Sequence, residues 1–148
     1  SYFFAQHFDV VTHCEINENL SEIAAFNATI LGQQNTDYKA TDGLQFLQEA
    51  EAEFDWVYVD PSRRNDRKGK VFRLSDCLPN VPEQLDDIFK KTKGVLLKTS
   101  PLLDISLGIS ELRWVKQVYV VAVQNEVKEV LFLMEKGSTA PIEIHGVN

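Results

Sequence analysis

Residues 54–64 read FDWVYVDPSRR, and the fold turns on where this run stops. Trp56, Val57, Tyr58 and Val59 are aromatic or β-branched with no polar alternation, the pattern of a strand buried on both faces. Pro61 fixes its own φ and turns Asp60 away from helical geometry, so the strand ends there. An acid at the carboxyl end of a central strand stands where open α/β sheets place their ligands. Two arginines, Arg63 and Arg64, follow at once.

Working upstream, residues 44–52 carry Leu44, Leu47 and Ala50 on one helical face, and Asp42-Gly43 closes a short strand over 38–41. Before it, Ile23, Ala24, Phe26 and Ile30 have helical spacing, with Ser21 as a candidate N-cap, a possible start a few residues earlier, and Gly32 as the stop. Residues 10–14, VVTHC, predict a strand that ends at Glu15. Tyr2, Phe3, Phe4 and Phe8 are spaced as one face of a short helix.

Downstream, 62–70 is a polar loop without an apolar residue, and 71–74 is a brief extended piece. Pro82 suits the first turn of a helix over 83–91, whose acids come first and lysines last, as the helix dipole favours. Residues 95–98 predict a strand that stops at Thr99-Ser100-Pro101, and 102–112 a helix weakened by Gly108. Residues 118–123 and 130–134 predict a hairpin turning at Asn125-Glu126, and 142–147 alternates as a final strand could. Strands alternating with helices argue for a doubly wound, mostly parallel α/β sheet, its C-terminal strand pair antiparallel and one reversed strand at an edge.

A chain of 148 residues predicts one domain. Its net charge of -7 argues against binding a polyanion with the whole surface but leaves room for a local basic patch. Two cysteines, Cys14 and Cys77, make no disulfide framework and no metal spacing, which favours a reducing cytoplasm. The longest apolar run, 118–123, is far short of the ~20 residues of a membrane helix. His7, His13 and His145 are dispersed and suggest no metal. Neither a nucleophile elbow nor a phosphate-binding glycine loop is present.

Three acids follow successive strands: Glu15, Asp42 and Asp60. One reading is a nucleoside site, because an acid after a strand accepts hydrogen bonds from ribose hydroxyls or a base amine. The other is that turns favour Asp and Glu. The basic run Arg63, Arg64, Arg67, Lys68, Lys70 and Arg73 has two readings as well, an RNA phosphate contact or a solvated loop.

Glu15, then Thr41-Asp42-Gly43, then Asp60-Pro61, with a closing antiparallel pair, resemble class I S-adenosylmethionine-dependent methyltransferases. More narrowly, VDPSRR, a basic loop and LLKTSP are similar to the bacterial methyltransferases that carry a THUMP-like domain. The resemblance implies that Glu15 holds the cofactor ribose, and that Asp42 contacts the adenine amine with Gly43 admitting the backbone. It puts Asp60 and Pro61 beneath the reacting methyl group, where Asp60 orients or deprotonates the acceptor. It also implies an RNA substrate, with Arg63, Arg64, Arg67 and Lys68 as phosphate contacts.

The chain departs from that family in two ways. The glycine-rich turn after the first strand is absent, so the expectation is a methyltransferase domain over 1–136 that lacks its first strand and turn. Residues 137–148 are then a linker or the start of a further segment. Such a fragment is expected to bind cofactor poorly, to be inactive alone, and to leave a sheet gap that stays open or is filled by 142–147 or by a neighbour through strand exchange or dimerisation. Second, Ser62 and Arg63 replace the Pro-aromatic pair of base amino-methyltransferases. The Asp-Pro-x-Arg form is closer to RNA 5-methyluridine enzymes, but those require a cysteine where Lys98-Thr99-Ser100-Pro101 stands. The competing expectations are a non-catalytic nucleotide- or RNA-binding module of the same fold, and a receiver-like domain with Asp60 as phosphoacceptor and Lys98 as its lysine.

Overall fold

A computed structural model describes residues 1–63 and 73–148. The chain divides into two compact units, Ser1–Glu51 and Ala52–Asn148.

The first unit is a parallel strand pair with its crossover helix. Strand β1 (Val11–Glu15) pairs with β2 (Thr36–Ala40) from Val11↔Thr36 to Glu15↔Ala40. A parallel pair needs a long connection, and α1 (Glu18–Ile30) supplies it. Its N-cap is Asn17, whose side chain accepts from the Leu20 N–H at 3.2 Å, so the helix begins before Ser21. The small residues Ser21 and Ala28 are its buried positions. Helix α2 (Gly43–Glu49) follows β2. The aromatic segment at the start forms only a 3-10 turn, Phe4–Gln6, and not the short helix its spacing predicts. Asn35 ties that turn down by donating to the Ala5 and Phe8 carbonyls, both at 2.9 Å.

The second unit holds most of the described buried apolar side chains. Its sheet runs β3 (Phe54–Val59), β6 (Thr92–Thr99), β8 (Glu126–Glu135), β7 (Val115–Val123), β9 (Glu143–Val147). Strands β3 and β6 are parallel, β8 is antiparallel to both β6 and β7, and β9 is parallel to β7. The predicted hairpin is therefore present, with Gln124 and Asn125 at positive φ in its turn. The reversed strand is not at the edge, however. β8 folds back between β6 and β7, where Val130, Phe132 and Met134 can be buried. Helix α3 (Val81–Ile88) contributes Val81, Leu85 and Ile88 to the core, and α4 (Ile105–Glu111) contributes Gly108 against the Phe132 ring. Each fully buried side chain of this size is worth about 1.5–3 kcal/mol.

Two short strands were not anticipated: β4 (Ser62–Arg63) pairs antiparallel with β5 (Cys77–Leu78). A second correction concerns β3. The stretch FDWVYV is a strand, but Trp56 is 38% and Tyr58 42% exposed, so it is not buried on both faces. Among the described residues it pairs only with β6. The strand that does carry near-continuous burial is β6. Residues 142–147, one candidate to fill a sheet gap, instead lie along β7.

Candidate functional site

Register brings the chemistry of the second unit together. Val59 lies opposite Leu97 in the parallel β3–β6 pair, so the residues one step on, Asp60 and Lys98, leave the same end of adjacent strands. The Lys98 ammonium donates to both Asp60 oxygens, at 2.9 and 3.0 Å. A carboxylate has about four lone-pair sites, so each oxygen keeps capacity for a further donor. The pair helps to line a cavity of about 250 Å³, together with Pro61, Cys77, Thr99, Ser100 and Lys128 among others. Thr99 is committed elsewhere, donating to the Val130 carbonyl at 3.0 Å, and the Ser100 hydroxyl accepts from the Leu102 N–H at 3.2 Å. Behind Asp60, burial together with the Asp60 and Glu129 charges pushes the Tyr58 phenol up to about 12.

In the first unit, Glu15 and Asp42 stand at the carboxyl end of β1 and just past that of β2. The Thr41 N–H donates to the Glu15 carbonyl at 3.1 Å, holding the two ends side by side. One Glu15 oxygen accepts from the Asn17 N–H at 2.8 Å. One Asp42 oxygen caps α2, accepting from Leu44 and Gln45 N–H at 2.8 and 3.0 Å. Asp42 thus has a structural duty that turn chemistry predicts. A Cβ on Gly43 would lie 3.4 Å from the Cys14 Cβ, ordinary contact, so packing alone does not demand glycine there. Burial pushes the Cys14 thiol up.

The basic run is only partly described. Arg63 contributes backbone to β4, paired with Cys77, while Arg64, Arg67, Lys68 and Lys70 lie outside the described residues. Among the described residues no cluster of His, Cys, Asp and Glu has the makings of a metal site, and no helix is long and apolar enough to cross a membrane.

Sequence reasoning considered Lys98 only as a receiver lysine and did not place it against Asp60. The β3–β6 register is the signal that pairs them. Cys77 and Lys128 had no local signal, because the β4–β5 pairing and the β7–β8 hairpin bring them to the cavity.

No protein-family model and no curated protein matches the chain. Solved structures do. The chain is similar to a "putative methyltransferase" from Porphyromonas gingivalis W83, with TM-score 0.73 and 26% identity over 90% of this chain and 34% of that one. It is also similar to an rRNA methylase from Streptococcus thermophilus, with TM-score 0.61 and 14% identity over 91% of this chain and 79% of that one. The chain spans about a third of the length of the first of these structures. The likeness to both is a methyltransferase-type α/β fold.

Proposed function

We propose that this chain is the core of a class I S-adenosylmethionine-dependent methyltransferase, of the THUMP-like kind, that lacks its first strand and acts on RNA. One observation carries the reading: the order β3-β6-β8-β7 with β8 reversed, at whose parallel end Asp60-Pro61 meets Lys98. The same reversal departs from the all-parallel receiver sheet. Similarity to two methyltransferase structures, one an rRNA methylase, supports it.

The residues present suit the nucleoside half of the cofactor. Glu15 and Asp42 each have one oxygen bound to local N–H groups, which fixes the carboxylate and leaves the other oxygen for a ribose hydroxyl or an adenine amine. Gly43 keeps the backbone bare beside them. When bound, S-adenosylmethionine supplies a methyl group on a sulfonium, an electrophile that needs positioning more than covalent help. Asp60, held by Lys98, accepts a hydrogen bond from the N–H or O–H of the acceptor and so orients or deprotonates it. Pro61 stiffens the turn beside it. Arg63, Arg64, Arg67 and Lys68 take RNA phosphates in this reading. Two cysteines, Cys14 and Cys77, too few for a disulfide framework, suit a bacterial cytoplasm.

Among the described residues β1 bonds only β2 and β3 only β6, which motivates the fragment reading. Calorimetric titration of the 148-residue chain with S-adenosylmethionine is expected to show no micromolar binding. A version extended by the native upstream residues is expected to bind and to transfer labelled methyl to cellular RNA. Micromolar binding by the short chain refutes the missing-strand reading. An extended protein that binds RNA but never transfers methyl points to a non-catalytic module, and label in protein alone removes RNA as substrate.

A further inference from the structure

The chemistry open to Asp60 is limited by the groups around it. Lys98 reaches both of its oxygens from the neighbouring strand. The Lys98 side chain is 32% and that of Asp60 49% exposed. An ion pair with that much water contact adds little to stability, but it takes rotamer freedom from the carboxylate. The other groups at the cavity supply no base. Lys128 is paired with Glu126 at 2.6 Å, the Thr99 hydroxyl donates to the Val130 carbonyl, and no histidine is among the described residues that line it. Tyr58, two positions before Asp60, keeps its proton at neutral pH because its phenol is pushed up to about 12. An aspartate, ordinarily titrating at ~3.9, is far too weak a base to strip a ribose hydroxyl before it reacts. An alkyl amine, protonated below ~10.4, would need a base as well. A ring carbon needs a covalent nucleophile first, and Cys77 is 2% exposed with its Sγ 4.0 Å from the Arg73 carbonyl oxygen. One class of acceptor needs neither: an aromatic amine, neutral near pH 7 and holding its own lone pair.

We propose that Lys98 is a positioning residue that fixes Asp60 as a hydrogen-bond acceptor, and that the group methylated beside it is the exocyclic amine of an RNA base. The proposal rests on the methyltransferase reading and narrows it. Asp60 accepts from one N–H of the amine through lone pairs that Lys98 leaves unused, which aims the nitrogen at the methyl carbon. The N–C bond forms as the C–S bond breaks, and the electron pair of the broken bond stays on sulfur. The nitrogen is left cationic with one proton too many. That cation is a strong acid, so Asp60 or water takes the proton after the transfer, and no base is needed before it. The cavity, about 250 Å³, is below the ~300–1,000 Å³ of pockets for drug-sized ligands. It suits one base turned out of its stack. Ser62 and Arg63 stand where base amino-methyltransferases carry a stacking aromatic, so the hold on the amine falls more heavily on the Asp60–Lys98 pair.

The test uses the protein extended by its native upstream residues, with methyl-labelled S-adenosylmethionine and cellular RNA that is then digested to nucleosides. Label is expected in nucleosides methylated on an exocyclic nitrogen. Lys98→Met is expected to lower kcat ~100-fold, with the Kd for S-adenosylmethionine and the circular dichroism spectrum unchanged. Lys98→Arg, whose fork can span both carboxylate oxygens, is expected to recover most of that loss. Asp60→Asn is expected to keep more activity than Asp60→Ala, because an amide oxygen still accepts the N–H. In the Asp60→Ala protein, Lys98→Met is expected to cost nothing further. Label on a ribose oxygen, on a ring carbon or in protein overturns the acceptor and leaves the methyltransferase reading standing. An Asp60→Asn protein as inactive as Asp60→Ala makes Asp60 a base and overturns the fixed acceptor. Losses from Lys98→Met and Asp60→Ala that simply add show Lys98 acting on its own and overturn the positioning role. A wild-type extended protein that transfers no methyl to any acceptor overturns the methyltransferase reading, and this proposal with it.

Discussion

Gly94 leaves room for a ring. A Cβ built there would lie 2.6 to 2.8 Å from three atoms of the Trp56 indole, closer than side-chain atoms approach. Gly94→Ala must therefore push Trp56 off β6. We expect a loss of about 1–3 kcal/mol, measured by urea unfolding, and a red shift of tryptophan emission as the ring moves into water. An unchanged midpoint and spectrum would show that the ring has another place to go. Tyr58 makes a second case at this scale. Its phenol is pushed up to about 12, first by burial and then by the negative charges of Asp60 and Glu129. A raised phenol favours the neutral form in the folded state, so its contribution to stability is whole below the ordinary value of about 10. That contribution is lost as pH rises through about 12. Ultraviolet titration of the phenolate should find Tyr58 ionising late, and Asp60→Asn should bring it earlier. A late tyrosine that Asp60→Asn leaves in place would assign the effect to burial alone.

At the scale of elements, Asp42 separates a structural role from a binding one. It caps α2 through two backbone N–H groups. Asp42→Ala should cost about 1 kcal/mol in thermal or urea unfolding, while Asp42→Ser should keep most of the cap. In the extended protein, Asp42→Ser should still weaken S-adenosylmethionine binding if the free oxygen meets the adenine amine. Binding equal to wild type would leave Asp42 a cap only. Strand β3 is legible in the sequence almost to the residue, because a proline ends it whatever surrounds it. Its burial is not. A run of four apolar residues looks the same in a central strand as in one whose second edge has no described partner, and β6, with lysines at 93 and 98, reads as less buried than β3. The position of β8 is also hidden. A hairpin's turn chemistry determines that two strands pair, and which of the two enters the sheet depends on whether its face bears Val130, Phe132 and Met134 toward the core.

For the whole molecule, the distribution of burial decides where stability lies. Among the described residues, unit Ser1–Glu51 has three buried side chains, Ser21, Ala28 and Leu47, and the remaining buried residues belong to Ala52–Asn148. Exchange protection follows buried hydrogen-bonded structure. Amides of β6, β7 and β8 should be the slowest in hydrogen-exchange mass spectrometry, and those of β1, α1 and β2 faster. Equal protection in both units would mean that the first unit is held by contacts this pattern of burial does not contain.

Sequence alone determined the alternation of strands and helices, the proline stop after Asp60, the acids at strand ends and the C-terminal hairpin. These depend on φ restriction, periodicity and turn preference, which act within a few residues. Tertiary structure decided which strand is central, that β8 lies inside the sheet, that Lys98 holds Asp60, and that Cys77 and Lys128 reach the same cavity. Those are products of register between segments distant in the chain, and a register is selected by the core that all the strands share.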